Sequence, residues 1–243
     1  TGTNSYSGTT TISAGSLQVG NAGTVGTLGT GAVVDNGNLS FNRSDNITIG
    51  NAISGSGTLT QAGSATLLLP NPNSYSGGTS LVAGTLITTT NSNALGTGTV
   101  SLANTAGVIL NPASNLSIAS LSGGGATGGN VSINSGVTLT TGSDNTNTTL
   151  AGVISGAGAL SKIGTGTFTL LGTNTYSGST TISGGTLEIK GALGAGNYAT
   201  AITNAGTLKL NGAADQTLSG NISGTGGLIV AGSGNVWLGG TNT

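Results

Sequence analysis

The chain has 243 residues, 4% of them charged, a net charge of −1, and no Cys, His or Met. That balance excludes the basic footprint of a nucleic-acid or anionic-membrane binder, a disulfide or zinc–thiolate scaffold, and an imidazole general base. With 35% hydrophobic residues the chain is also too apolar to be a tail kept disordered by charge repulsion.

In chain order, the elements read as short strands between polar turns. Leu17-Gln18-Val19, Val137-Thr138-Leu139, Leu187-Glu188-Ile189 and Leu208-Lys209-Leu210 alternate apolar with polar, so each has one buried face. Clusters such as Ser54-Gly55-Ser56-Gly57 and Ser122-Gly123-Gly124-Gly125 carry turn chemistry. No stretch combines a 3.6-residue period with caps, which predicts essentially no helix. No run approaches the length of a membrane span, so direct membrane insertion by this segment is not expected. Thr1 opens no signal region; any targeting segment is expected elsewhere.

The strongest signal is repetition. Asn4-Ser5-Tyr6-Ser7-Gly8 returns as Asn73-Ser74-Tyr75-Ser76-Gly77 and as Asn174-Thr175-Tyr176-Ser177-Gly178. A lead-in precedes the second and third copies, Ile53-Ser54-Gly55-Ser56-Gly57-Thr58-Leu59 and Ile154-Ser155-Gly156-Ala157-Gly158-Ala159-Leu160, and appears again as Ile222-Ser223-Gly224-Thr225-Gly226-Gly227-Leu228. The Asn anchors at 4, 73, 174 and 242 divide the chain into modules of approximately 4–72, 73–173 and 174–243. The middle module is longer, and its extra residues, roughly Pro112 to Thr148, read either as added coils or as a loop. Both termini cut the same motif, so the chain reads as one continuous slice of a longer array.

Many short strands fit a sandwich, a propeller or a solenoid. Aromatics at 3% argue against propeller blades, and a sandwich has no need of repeated modules. A single-stranded parallel solenoid explains both facts, with on the order of 10–12 coils stacked to ~50 Å. The expected fold class is therefore all-β.

The order of the lead-in, then Lys162-Ile163-Gly164-Thr165-Gly166-Thr167-Phe168-Thr169-Leu170, then Gly172-Thr173-Asn174-Thr175-Tyr176-Ser177-Gly178, then Thr180-Thr181-Ile182 and Gly185-Thr186-Leu187, resembles the autotransporter-associated β-strand repeat, also called the passenger-associated transport repeat. The likeness is fullest over Thr149–Lys190, good over Ile47–Thr90 and partial at both ends. It implies a right-handed parallel β-helix, exported through an outer-membrane β-barrel translocator lying outside this stretch and displayed on a Gram-negative cell or secreted. The repeat is associated in that family with efficient secretion, and many members look like adhesins. Pro70, Asn71 and Pro72 depart from the pattern and predict a locally irregular or exposed turn.

β-Helical lyases and hydrolases need clustered carboxylates; here Asp35, Asp45, Asp144, Glu188 and Asp215 are scattered, so no catalytic residue is assigned. Gly123-Gly124-Gly125 and Gly128-Gly129 lack the Asp of a calcium-binding nonapeptide; no metal or cofactor is expected. Aligned on the Asn anchors, Leu68, Thr169 and Trp237 fall between inward positions. Trp237 and Leu68 are therefore candidate surface contacts, for a sugar or a packed neighbour. Tyr6, Gly8, Tyr75, Gly77, Tyr176 and Gly178 read as structural, ring packed and hydroxyl bonded. The Thr runs Thr9–Thr11, Thr58-Leu59-Thr60, Thr88–Thr90 and Thr97-Gly98-Thr99 do not recur once per coil in the sequence, which speaks against a water-ordering ladder. Asn38, Asn46, Asn115, Asn147 and Asn221 match a glycan-acceptor triplet, as chance allows in so Asn- and Thr-rich a chain. The function expected is a non-catalytic structural and adhesive rod that supports export and projects a binding region toward a host-cell, glycan or matrix ligand. The alternative is a self-associating extracellular fibre or matrix protein, such as a biofilm, sheath or filament subunit.

Overall fold

A computed structural model describes residues 2–88 and 91–243. The Thr88–Thr90 run lies mostly outside these: Thr89 and Thr90 are not described, nor is the side chain of Thr88. The described residues form a β-solenoid of about 11 turns whose strands pair in parallel, with one three-residue 3-10 turn, Gly194–Gly196. Parallel strands joined by crossovers wind right-handed in nearly all proteins, which sets the expected hand of the coil.

Each turn visits three faces. The long face is a single sheet of eleven strands, from Ser16–Gly23 through Thr79–Leu81 and Thr167–Leu170 to Gly227–Val230. The second face begins as a three-stranded sheet (Thr10–Ile12, Val33–Asp35, Ile53–Ser54) and resumes as a six-stranded sheet from Leu116–Ser117 to Ile222–Ser223. The third face runs the other way in size. Six strands from Ile47–Thr48 to Ile154–Gly156 are followed by three: Asn197–Tyr198, Gln216–Leu218 and Val236–Leu238.

Alternation within each strand builds the core. Leu39, Leu59, Val100, Leu121, Phe168, Leu187 and Leu208 point inward from the long face and are buried, stacked rung over rung with Leu67, Leu86, Leu110 and Val131 from the third. Each such side chain contributes about 1.5–3 kcal/mol of burial, enough to hold a narrow interior almost without aromatics. At the corners, inward polar side chains satisfy turn carbonyls: Gln61 Nε2 donates to the oxygens of Gly63 (2.9 Å) and Ala65 (3.0 Å), and Lys162 Nζ to that of Ile163 (2.7 Å). Burial holds the Lys162 ammonium below its usual range, partly offset by Asp144.

The segment Pro112–Thr148 is not a loop. Leu116–Ser117, Leu121–Gly123, Asn130–Ile133 and Thr138–Thr141 occupy the second, long, third and second faces in turn, so the added residues are regular coil. Pro72 and Asn71 are exposed and lie in a stretch without a strand, as their chemistry predicts.

The repeat motif does not stay on one face. After Tyr6, the motif's two strands fall on the second and long faces (Thr10–Ile12, Ser16–Gly23); after Tyr75 they fall on the long and third faces (Thr79–Leu81, Thr85–Thr88). After Tyr176 they return to the second and long faces (Thr180–Ile182, Thr186–Ile189). Equal sequence positions in successive modules therefore need not share a face.

Candidate functional site: the interruptions of the solenoid

The lead-in and the tyrosine motif are two coils stacked on each other. Ile53 N–H donates to Asn73 Oδ1 at 2.8 Å, and Ser74 and Ser76 N–H donate back to the carbonyls of Ile53 (2.8 Å) and Gly55 (3.0 Å). The same set recurs as Ile154 N–H to Asn174 Oδ1 (2.9 Å), with Thr175 to Ile154 (2.8 Å) and Ser177 to Gly156 (2.9 Å). At the last lead-in Ile222 N–H reaches Asn242 Oδ1 at 2.8 Å. The Asn amide thus stands in for a missing ladder carbonyl, as a buried N–H requires. The lead-in glycines are explained by the coil beneath. Gly55 has φ +110 and a β-carbon there would strike the Asp35 carbonyl; one at Gly57 would meet the Asp35 carboxyl.

The three tyrosines behave alike at their hydroxyls. Tyr6, Tyr75 and Tyr176 each pair with the Thr four residues on, Thr10, Thr79 and Thr180, at 2.6, 2.6 and 2.7 Å. Tyr75 and Tyr176 are fully buried, whereas Tyr6 is 43% exposed. Burial pushes the Tyr75 and Tyr176 phenols well above their ordinary range. β-Carbons at Gly77 and Gly178 would strike the carbonyls of Gly57 and Gly158, so these glycines let the two coils approach.

The motif is also where sheets stop. Among the described residues, the second face has no strand on the Tyr75 coil or the next, and the third face has none at the Tyr176 coil before resuming at Asn197. After the third copy a groove of about 410 Å³ opens, lined by Thr175, Tyr176, Ser177, Asn197, Tyr198 and Thr200 among others. Its base holds the Tyr176 and Tyr198 rings, centroids 5.5 Å apart and tilted by 60°. Both hydroxyls meet Thr180 Oγ1, and the Tyr198 hydroxyl also donates to the Gly178 carbonyl. This coil has a sequence signature of its own: Leu28-Gly29-Thr30-Gly31, Leu95-Gly96-Thr97-Gly98 and Leu193-Gly194-Ala195-Gly196 each follow a tyrosine motif by one coil.

Trp237 is 50% exposed and points outward in register with Thr217, which in turn pairs with Asn197. Leu68 is half-buried, in an outward row between Thr48 and Ile87. Leu68 and Trp237 share the third face but sit many coils apart; Thr169 lies on the long face, covered by Glu188, whose Oε2 accepts from its hydroxyl at 3.1 Å. Leu228, Val230 and Leu238 are exposed at inward-type positions of the last two strands of this stretch.

Among the described residues the Thr runs do not line up coil on coil, since only Thr60 of them joins the mixed Ser and Thr row that the long face carries. Gln18, Ser40, Thr60, Ser80, Ser101 and Ser122 pair in register, followed one coil on by Thr149 and then Thr169. This mixed row of serine and threonine holds one position per coil over seven coils from Ser40 to Thr169. The row ends at Glu188, paired with Lys209 at 2.9 Å, an ion pair that holds the Glu188 carboxyl below its usual range. The module's advance from face to face hid this row from alignment on the Asn anchors.

The acids lie apart. Asp35 is buried on the second face, with Oδ1 accepting from Gly37 N–H (3.0 Å) and Oδ2 unpartnered. Asp45 pairs with Arg43 at 2.8 Å, and Asp215 accepts from Asn235. Among the described residues, no three His, Cys, Asp or Glu side chains come together as a metal cage, and no helix is long and apolar enough to cross a membrane.

A parallel, single-chain solenoid whose faces break at a stacked lead-in and tyrosine coil defines the class. Residues 1–19, 59–87 and 160–189 match the passenger-associated-transport-repeat, each stretch containing one tyrosine motif and the latter two starting at the last residue of the lead-in. Over 123 residues, 50% of the chain, it is 48% identical to the Adhesin BmaC autotransporter of Brucella suis biovar 1 (strain 1330). The matched stretch is 4% of that relative's length. No solved structure matches. The chain thus carries three stretches of this repeat and is similar to an autotransporter adhesin over half its length, which places it outside the cell or at the cell surface of a Gram-negative bacterium.

Proposed function

We propose that the chain is a non-catalytic structural and adhesive stretch of a passenger, which supports export and holds a binding region away from the cell. The observation that carries this reading is the stacked solenoid itself, a neutral rod of about 11 turns with its acids dispersed, in a chain half of which aligns with an adhesin at 48% identity. Each coil buries its apolar row only on its neighbour, so coils emerging one after another gain stability by stacking and resist return. Ligands outside the cell, whether host-cell, glycan or matrix, are the partners in this reading, and an outer-membrane β-barrel carries the chain out.

The test is to fuse the chain to a β-barrel translocator in a Gram-negative laboratory strain. Surface yield and adhesion to epithelial cells and to immobilised matrix should both exceed those of a strain displaying a scrambled sequence of equal length. Equal yield would remove the export role, and equal adhesion the adhesive one. The second reading, a self-associating fibre, draws on the uncharged hydroxyl row of the long face, which offers little repulsion between copies. Light scattering decides it: a strictly monomeric species at high concentration would rule the fibre out.

A further inference from the structure

The three tyrosine coils are not covered in the same way. Over Tyr6 and Tyr75 the next coil sits directly on the tyrosine carbonyl: Thr30 N–H donates to Tyr6 O and Thr97 N–H to Tyr75 O, both at 3.0 Å. A β-carbon at Gly29 or Gly96 would strike that same carbonyl. Over Tyr176 the coil is displaced. Ala195 N–H donates instead to Asn174 O at 3.1 Å, and a β-carbon at Gly194 would have no neighbour closer than 3.4 Å. The displaced chain takes three successive left-handed residues, Gly194 (φ 55), Ala195 (φ 52) and Gly196 (φ 99). An alanine in that region is held against its preference by its surroundings, a feature that collects at functional sites. The displacement opens the groove of about 410 Å³, within the size range of small-molecule sites.

The groove continues into an outward row. Asn197 lines it and pairs with Thr217, and Thr217 pairs with Trp237. Thr175, Ser177, Asn197 and Trp237 are exposed, and Asn197 Oδ1 is already engaged by the Ser219 hydroxyl at 2.9 Å. The groove and row together cross four coils, roughly 14 Å at ~4.8 Å per rung. Apart from the two phenols at its base, no residue named in the groove or the row is ionisable.

We propose that this strip binds a neutral oligosaccharide, with Trp237 as a stacking platform two coils from the groove and the Thr175, Ser177, Asn197 and Thr217 polar groups ordering the hydroxyls along it. The proposal names the ligand class and contact site for the adhesive reading, and rests on that reading. A flat indole face with a row of uncharged donors and acceptors suits a ring with one apolar side and a polar rim. The absence of charge along the strip gives a sulfated or uronic glycan no advantage. Only the third copy of the motif has both the opened groove and the tryptophan, so the other two do not duplicate the site.

Trp237 is the chain's single tryptophan, so its emission reports on this strip and nowhere else. Titration of the purified chain with cello-, malto- and manno-oligosaccharides of increasing length should shift that emission, with affinity rising with length for at least one series. By calorimetry, Trp237→Ala should weaken binding roughly thirtyfold. Asn197→Ala should weaken it about three- to tenfold, with the fold unchanged by circular dichroism. A silent emission with every neutral series overturns the proposal. So does undiminished binding by both Asn197→Ala and Thr217→Val, or tighter binding of sulfated than of neutral oligosaccharides. If no oligosaccharide binds while the displayed chain still adheres to cells, the strip falls and the adhesive reading stands; if adhesion is absent as well, both fall.

Discussion

The long face and the third face are built by the same alternation and end up opposite in character. The long face keeps one sheet through all its turns, and its outward row is hydroxyl after hydroxyl from Ser40 to Thr169. The third face is broken at the Tyr176 coil, and it gathers a groove, three left-handed residues and an exposed tryptophan. The difference teaches where a solenoid of this kind can specialise. An unbroken ladder satisfies its own backbone and leaves only a repetitive surface. A break has to be repaired by particular side chains, and the repair leaves room for irregular features.

That contrast makes the repair residues the sensitive ones. Tyr176→Ala should cost the most, about 3–5 kcal/mol in urea unfolding, because it empties a fully buried ring site between two coils. Asn174→Ala should cost about 1–3 kcal/mol by leaving the Ile154 N–H without its acceptor. Hydrogen exchange should show that amide losing protection while the amide of Leu121 on the long face keeps its own. On the unbroken side, Thr149→Val should change stability by less than about 0.5 kcal/mol, since it alters an exposed position of an intact ladder. Equal losses at Asn174 and Thr149 would erase the distinction between the faces.

A smaller effect tests the packing below the Ile53 lead-in. Burial raises the Asp35 carboxyl above its ordinary value of about 3.9, against opposing hydrogen bonds from Gly37 and Leu39. Its contribution to stability is therefore fully present below that ordinary value and is lost as pH climbs through the raised one. Asp35→Asn should flatten the stability–pH curve across that window and leave the chain more stable at neutral pH. An unchanged slope would mean the carboxyl is solvated. Glu188 works in the opposite sense: its lowered value gives stability above the usual carboxylate range, lost on acidification.

Much of this was legible in the residues, for identifiable reasons. Alternation in Leu17-Gln18-Val19 or Leu208-Lys209-Leu210 reports a one-sided strand wherever it sits, and the tyrosine motif's repetition reports stacking. What did not show was which face each strand occupies. Alignment on Asn4, Asn73 and Asn174 treated the modules as equivalent, but the second is turned by one face. Leu68 and Thr169, aligned by sequence, therefore lie on different faces, and the hydroxyl row of the long face was scattered across unrelated module positions. The lead-in and tyrosine motif were visible as separate strings; their pairing through Asn73 and Asn174 depends on contacts one coil apart, which spacing alone does not name. Trp237 was placed outward by period two, whereas the groove two coils away arises from a displaced coil that no local pattern in the sequence announces.

The central claim, that adhesion belongs to the broken face and not to the regular one, has a direct test. The passenger stretch is displayed on cells as wild type, as Trp237→Ala with Asn197→Ala, and as Thr60→Val with Ser101→Ala and Thr149→Val, at matched surface levels, and attachment to host cells is counted. The account predicts that the first variant loses most of its attachment and the second keeps it. Loss in the hydroxyl-row variant with retention in the Trp237 variant would contradict it.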